Sequence, residues 1–382
     1  MLLQFYHEHL EKQLGRAHFL MLLLLINIIQ AQKEVRLETI ARVFPIWITC
    51  EGRRRKLQRF LDLPGLTVSR LLWPIISYWL ENSMAKRPNQ KLYLAIDRSQ
   101  WKNINLLMVS VIWSRRAIPL AWRLLPHLGN SNQEEQESVL SPVLSRFKDY
   151  QIVVLGDREF CSLDLARWLQ ASLVGFCLRL KKNTCMEVEN QIWQRLDELA
   201  ITPGVCVYYQ GRKIRKTGPV LGFALAAKWK RSYRCQTAKE PWYILNNLGS
   251  LTESIEAYKK RMGIEEMFRD CKSGGYNLES TGLRGERLNS MILVMSLAYL
   301  QSTLRGGEIN RHQGQKYVSR LKESGRIYGR RSTFGIGLDG ENWVKNLEQY
   351  HQEATELTNL SPHKRRFYQR GLRAQTIIGS TL

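Results

Sequence analysis

The sequence predicts an α/β protein in which a mixed sheet follows an all-helical N-terminal domain. Residues 2–83 show helical periodicity, whereas three consecutive β-like runs begin at residue 91. Helical and β-like segments then alternate, which is typical of a mixed sheet. A chain of 382 residues that is 44% hydrophobic and 10% aromatic can bury a substantial core, so this is a folded protein.

The N-terminal helices are predicted where apolar residues recur at helical spacing. They lie in "FYHEHLEKQLGRAHFLMLLLLINIIQAQ", "VRLETIARVF", "RRRKLQRFLD" and "VSRLLWPIISYWLEN". The apolar run from Phe19 to Ile29 spans about eleven residues, against roughly 20 needed to cross a membrane. It contains Asn27 and no small-residue cleavage site follows it, so we predict a buried helix rather than a membrane span or signal.

The predicted sheet begins with a meander of three strands in "KLYLAID", "NINLLMVSVIW" and "AIPLAWRLLP". A helix in "NQEEQESVLSPVLSRF", a strand in "QIVVLGD", a helix in "SLDLARWLQAS" and a strand in "GFCLRL" follow. After a less regular segment, "PWYILNNL" returns to a strand. One helix is then predicted from a capping box at Ser250 and Glu253 to Gly274 and Gly275, and "ERLNSMILVMSLAYLQSTL" forms a second, apolar one.

These elements predict a division of the chain into five segments. They are an all-helical domain (1–88), the first part of a mixed-sheet domain (89–180), a β-rich insertion (181–242), the second part of the mixed-sheet domain (243–305) and a basic C-terminal region (306–382).

The charge balance indicates a polyanionic partner. Lys and Arg number 57 against 34 Asp and Glu, so the formal net charge is +23. Nucleic acid is the usual partner of such an excess. The seven cysteines are scattered without a C-x-x-C pair, so we expect neither a zinc site nor a disulfide framework. This pattern predicts a cytoplasmic protein, and the charge predicts association with the nucleoid.

A run of cations begins one of the N-terminal helices. It comprises Arg53, Arg54, Arg55 and Lys56. Cations at a helix start oppose the helix dipole and suit contacts to DNA phosphates. A solvated helix face is the alternative, and the sequence leaves both open.

A second polar set lies in "AYKKRMGIEEMFRDCKSGG", where Tyr258, Arg261, Glu265 and Lys272 are spaced to share one helix face. At about 100° per residue the four fall within a stripe roughly 60° wide. A core-facing helix would carry leucines there, so the stripe faces something charged or is a solvated surface.

Two aspartates are predicted to end apolar strands. They are Asp97 in "LYLAIDRSQW" and Asp157 in "IVVLGDREF". A charge at the end of a buried strand needs a partner, which is either a divalent metal or a neighbouring arginine such as Arg98 or Arg158. With Glu265, the two aspartates supply the three carboxylates that a two-magnesium site requires.

This set of residues resembles the DDE triad of ribonuclease-H-like transposases. Asp97, Asp157 sixty residues later and Glu265 a further 108 residues on follow the order of that triad. The stripe matches the Y-(2)-R-(3)-E-(6)-K signature of the insertion-sequence-4 family at every position. Members of that family have a β-rich insertion between the second aspartate and the glutamate, where residues 181–242 lie.

The resemblance implies a ribonuclease-H-like sheet and a cut-and-paste DNA transposase that uses two Mg²⁺ or Mn²⁺ ions held by the three carboxylates. Tyr258, Arg261 and Lys272 would bind phosphates, and Trp242 would stack on a flipped base or serve as a core residue of its strand. The implied partners are double-stranded DNA with terminal inverted repeats, target DNA and a second copy of the chain.

Two alternatives are a DNA-binding derivative without catalysis and a hydrolytic nuclease of the same fold. Two further acidic residues are given lesser roles. Glu266 is an unlikely ligand because it lies about 100° around the helix from Glu265. Glu159 is expected at the surface.

Overall fold

The computed structural model describes residues 2–84, 91–113, 115–189, 191–215, 222–231, 239–325 and 329–380. The chain divides into two compact units. The helical unit consists of Met1–Ile75 and Arg269–Leu382, and the sheet unit is Ile76–Phe268. The five-segment division stays a prediction, and its first boundary, between residues 88 and 89, lies outside the described residues.

The sheet unit is built on a mixed sheet. Its first five strands are β1 (Leu92–Trp101), β2 (Ile104–Trp113), β3 (Arg116–Leu124), β4 (Ile152–Gly156) and β5 (Gly175–Arg179). They lie in the order β3-β2-β1-β4-β5. The first three form the predicted antiparallel meander, whereas β4 is parallel to β1 and β5 is parallel to β4. This arrangement is a ribonuclease-H-like mixed sheet, as predicted.

The segment predicted as an insertion contributes two kinds of strand. A separate antiparallel pair is formed by β6 (Cys185–Glu189) and β7 (Ile192–Arg195). The main sheet is extended by β8 (Cys206–Tyr209) and β9 (Ala224–Lys228) of this segment, and by β10 (Trp242–Asn246), the strand predicted in "PWYILNNL" at its end. The order continues from β5 as β10-β9-β8, and all these pairings are antiparallel. Residues 216–221 and 232–238 of this segment lie outside the described residues.

The middle of the chain also contributes helices. These are α5 (Trp73–Met84), α6 (Gln133–Arg146), α7 (Leu163–Ala171), α8 (Leu251–Lys260) and α9 (Met262–Cys271). The Ser250 side chain caps α8 by accepting the Glu253 N–H at 3.2 Å. This confirms the predicted start of that helix.

The single helix predicted between Ser250 and Gly274 is interrupted at Arg261. The Arg261 N–H bonds to the Tyr258 carbonyl and the Ile264 N–H to the Arg261 carbonyl, both at 3.0 Å and both three residues apart. Arg261 keeps right-handed helical dihedral angles, so the chain changes its hydrogen bonding without reversing direction. At Gly263, a Cβ would lie 3.2 Å from the Arg116 backbone, so glycine permits close approach of α9 to β3.

The helical unit combines the two ends of the chain. Its N-terminal helices are α1 (Leu2–Leu14), α2 (Arg16–Gln32), α3 (Leu37–Val43) and α4 (Cys50–Leu61), and a π-helical turn covers Val68–Leu72. Its C-terminal helices are α10 (Gly285–Arg311), α11 (Gln315–Val318), α12 (Thr333–Gln349), α13 (His351–Asn359) and α14 (Arg365–Gly379).

The apolar run in α2 is buried, as predicted. Phe19, Leu22, Leu25 and Ile29 are each at most 3% exposed. The Gln30 amide lies among them, and its Nε2 donates to the side chains of Gln301 and Ser302 at 3.1 and 3.0 Å on α10. Its buried Oε1 has no hydrogen-bond partner among the described residues. In the described part of the chain, no single helix passes the length and hydropathy test for a membrane span, and α2 with α3 passes only as a pair bent by 104°.

Helices α10 and α12 cross with direct backbone contact. A Cβ at Gly306 would lie 1.8 Å from the Thr333 carbonyl oxygen, and one at Gly337 would lie 1.8 Å from the Ser302 carbonyl oxygen. No side chain can give way at these contacts, because both obstacles are backbone atoms. Glycine is therefore required for this crossing.

Replacing Gly306 with alanine should lower the free energy of unfolding by about 2–3 kcal/mol, since the added methyl group forces the two helices apart. The neighbouring Gly307 is the matched control, because a Cβ there meets nothing within 4 Å. Gly307→Ala should leave stability unchanged or raise it by up to about 1 kcal/mol through helix propensity. Urea unfolding followed by circular dichroism measures both. Equal midpoints for the two variants would contradict the backbone-contact interpretation.

Candidate active site

The two aspartates lie side by side on adjacent parallel strands. The register of β1 with β4 pairs Ile96 with Gly156, and Asp97 and Asp157 are the next residue on each strand. Asp157 follows the end of β4, as predicted. Asp97, however, lies inside β1 rather than at its end, because β1 continues to Trp101 along β2.

Asp97 is a buried acid with an altered pKa. Its side chain is 15% exposed, and one oxygen accepts the Arg98 N–H at 2.8 Å. The pKa of Asp97 is raised to about 7, chiefly by burial; Arg261 acts to lower it, and the charges of Asp157 and Glu265 act to raise it. The three predicted carboxylates therefore interact electrostatically within one site.

Arg261 is the cation of this site. One guanidinium nitrogen lies 3.4 Å from an Asp97 carboxylate oxygen, and another pairs with Glu265 on the next helical turn. The Arg261 side chain is 8% exposed, whereas the Glu265 side chain is 44% exposed. Arg261 therefore lies inside the site and not on a solvated face.

Tyr258 and Trp242 form an aromatic wall next to Arg261. Tyr258 is 3% exposed, and burial raises the pKa of its hydroxyl. Trp242, the first residue of β10, is half-buried, and its ring packs edge-on against Tyr258 with centroids 5.1 Å apart. The Arg261 guanidinium lies 5.8 Å from the Tyr258 ring centroid. These residues form one continuous cluster with Glu265.

The arginines that follow the aspartates pair elsewhere. Arg98 binds Glu159 at 2.9 Å, and Arg158 pairs with Glu240. Glu159 was expected at the surface, but its side chain is only 12% exposed, because it accepts from Arg98 and from the backbone N–H of Ser131. That expectation was wrong, since a charge can be buried when it is fully paired.

Sequence reasoning therefore missed a positioning ion pair, Arg98 with Glu159. This pair connects β1, the strand that contains Asp97, to the turn that follows Asp157. In that turn, the Asp157 carboxylate accepts the Glu159 N–H at 2.8 Å. The signal was present, because each of these residues lies within two positions of an aspartate. The neighbouring carboxylate Glu266 pairs with Arg116 at 2.7 Å. This pair agrees with the prediction that Glu265, and not Glu266, is the metal ligand.

The remaining predicted binding residues belong to the helical unit. Lys272, just after α9, binds Glu279 at 2.6 Å. On α4, Arg54 and Arg55 each pair with Glu51, at 2.8 and 2.9 Å, while Lys56 is exposed. The Arg53 Nε atom is buried without a hydrogen-bond partner. The two pairs hold the pKa of Glu51 at about 2, so this acid stays ionised and offsets part of the cationic charge.

The donor chemistry of the site fits a divalent cation. Carboxylate oxygens are the ligands that Mg²⁺ prefers, and added positive charge offsets both causes that raise the Asp97 pKa, burial first and then the neighbouring carboxylates. Among the described residues no three acidic, His or Cys side chains are grouped closely enough to hold a metal. The Arg261 guanidinium instead pairs with both Asp97 and Glu265.

Comparisons with known proteins found a matching family model and a similar solved structure. A family model described as "Transposase DDE domain" matches residues 124–300, which include Asp157 and Glu265 but not Asp97. One similar solved structure is the piggyBac transposase synaptic complex with hairpin DNA, with a TM-score of 0.43 and 12% sequence identity over 88% of this chain and 75% of that chain. No curated protein sequence gave a significant match. Over residues 124–300, less than half of the chain, the protein is therefore similar to transposase DDE domains, which supports, in general terms, a DNA transposase or nuclease.

Proposed function

We propose that this protein is a cut-and-paste DNA transposase, similar to the insertion-sequence-4 family, that cleaves the ends of an insertion sequence and joins them to target DNA. The proposal depends above all on one observation. Asp97 and Asp157 each directly follow the paired residues Ile96 and Gly156 of the parallel strands β1 and β4. Arg261 pairs with both Asp97 and Glu265. Three carboxylates that belong to distant parts of the sequence thus act on one another.

Asp97, Asp157 and Glu265 would hold two Mg²⁺ or Mn²⁺ ions. When bound, such ions activate the attacking oxygen and stabilise the leaving oxygen of a phosphodiester. Loss of a proton from Asp97 prepares it for this role, and a pKa of about 7 leaves it partly protonated at neutral pH.

The chain itself supplies phosphate binding and base contacts. Arg261 has a planar guanidinium suited to bidentate phosphate binding. Its pair with Glu265 lies at the exposed side of the site, where a phosphate would replace the Glu265 carboxylate as the partner of Arg261. Trp242, half-buried against Tyr258, keeps part of its ring available for a base. Lys272 is proposed as a further phosphate contact. The DNA partners would be terminal inverted repeats and target DNA in the cytoplasm, bound by two copies of the chain.

A hydrolytic nuclease of the same fold is the second candidate, because the same carboxylates would serve it. The products distinguish the two: a nuclease leaves only cleaved ends, whereas a transposase also joins a 3′-OH to another strand. A DNA-binding derivative without catalysis would give neither product.

The test is incubation of the purified protein with labelled duplexes that carry the inverted repeats flanking its gene, in Mg²⁺, in Mn²⁺ and in EDTA. We expect metal-dependent nicks at the repeat boundary, then hairpins or joined products on a denaturing gel. A duplex with the repeat scrambled is the control. Cleavage without joining would support the nuclease, and binding without cleavage would support the inactive derivative.

A further inference from the structure

Trp47, in the loop between α3 and α4, is fully exposed. Its relative exposure is 101%, and its apolar neighbours Val43 and Ile48 are each 45% exposed. Among the exposed large hydrophobic residues of the described chain it is the one tryptophan. A whole indole in water is costly, since aromatic side chains bury about 150–250 Å² when they are packed. Exposed apolar groups of this kind mark interaction sites.

The loop that carries Trp47 is held in one shape. Phe44, 1% exposed, anchors its start in the core. The Ile46 N–H bonds to the Phe44 carbonyl, and the Ile48 N–H to the Ile46 carbonyl, both at 2.8 Å. Thr49 then caps α4 by accepting the Gly52 N–H at 3.1 Å. Two tight turns and a helix cap therefore present the indole at the loop tip.

The surface around this loop is cationic. Arg42 at the end of α3 and the four cations of α4 lie on either side of the loop, and Glu51 is the acid between them. Glu51 is already paired with two of those arginines. At the start of α10, Arg287 lies close enough to Arg54 for the two charges to repel, and its own guanidinium pairs with Asp62 at 2.7 Å.

From this combination we infer that Trp47 contacts the bases of duplex DNA while the α4 cations hold the adjacent phosphates. The inference rests on the proposed function, because it assumes that the ligand is the DNA at the ends of the insertion sequence. Phosphate contacts position a protein, and apolar or aromatic side chains that enter the base stack deform it. A protein partner without a strongly acidic surface fits less well, since the cations on both sides of Trp47 need negative charge opposite them.

The experiment measures the affinity of full-length protein for duplexes carrying the flanking inverted repeats, as a function of salt. Trp47→Ala should weaken binding about five- to 150-fold, the effect of one lost base stack. It should leave the slope of log affinity against log salt unchanged, because no charge is lost. Lys56→Ala should instead reduce that slope by about one. Trp47→Phe should retain most of the affinity, and Leu357→Ala, which removes another exposed apolar side chain, should have no effect.

A duplex with 2-aminopurine in the repeat reports the base contact directly. Its fluorescence should rise when the wild type unstacks the base and should not rise with Trp47→Ala. If the wild type binds the duplex and Trp47→Ala shows the same affinity and the same fluorescence, this inference is overturned while the proposed function stands. Failure of the wild type to bind any duplex would overturn the proposed function with it. Thermal melting confirms that the variants are folded.

Discussion

Replacing Glu265 with glutamine is expected to lower the rate of metal-dependent strand cleavage by at least about 10³-fold. Stabilisation of the transition-state charge by a bound metal is worth several kcal/mol, and each 1.36 kcal/mol changes the rate about tenfold. Glutamine keeps the size of the side chain and removes the charge that a divalent cation requires. Folding should be little affected, since the Glu265 carboxylate is 44% exposed and its pair with Arg261 lies at the edge of the site.

The matched control is Glu266→Gln, one position along α9. Glu266 bonds Arg116 at 2.7 Å and is 33% exposed, so the variant loses a similar ion pair. Its cleavage rate should stay within a few-fold of the wild type. Single-turnover rates on labelled repeat duplexes, with binding measured separately, give the comparison. Equal losses in the two variants would show that α9 contributes only general charge and would contradict the role assigned to Glu265.

Replacing Asp97 with asparagine is expected to stabilise the metal-free protein at high pH while abolishing cleavage. Burial raises the pKa of Asp97 from 3.8 to about 7. Between these values the folded chain binds more protons than the unfolded chain, so its stability falls as the pH rises, and the loss is complete above about pH 7. At about 1.4 kcal/mol per pKa unit, the cost of the wild-type carboxyl is on the order of 4 kcal/mol at pH 8 and roughly 1–2 kcal/mol at pH 5.

The measurement is the midpoint of thermal unfolding in EDTA at both pH values. The asparagine variant should melt at least about 5 °C above the wild type at pH 8, and the difference should shrink at pH 5. Asp164→Asn is the control, because that carboxylate is 48% exposed and pairs with Arg167 on its own helix. Adding Mg²⁺ should stabilise the wild type more than the Asp97 variant. If the difference in unfolding midpoint between the wild type and the Asp97 variant is the same at both pH values, it does not arise from the raised pKa of Asp97.

The elements that bring the site together were predictable because their patterns are local. The meander, the strand before Asp157, the capped start of α8 and the buried helix α2 all follow from apolar spacing and turn residues. The order of the acids and the Tyr258-to-Lys272 spacing indicated the class of chemistry before any coordinates. Two local predictions failed. The continuous helix through Arg261 is interrupted where Gly263 packs against the β3 backbone, and Asp97 does not end its strand because β1 continues to Trp101 along β2.

The sequence by itself determined the type of most elements before residue 305, the mixed sheet, the basic character of the chain and the identity of the candidate triad. Only the tertiary structure decided that Asp97 lies beside Asp157, that Arg261 is buried between two carboxylates and that Glu159 is paired with Arg98. The exposure of Trp47 was likewise decided there. The physical reason is that periodicity depends on near neighbours, whereas strand register, ion pairing and burial depend on residues tens to hundreds of positions apart.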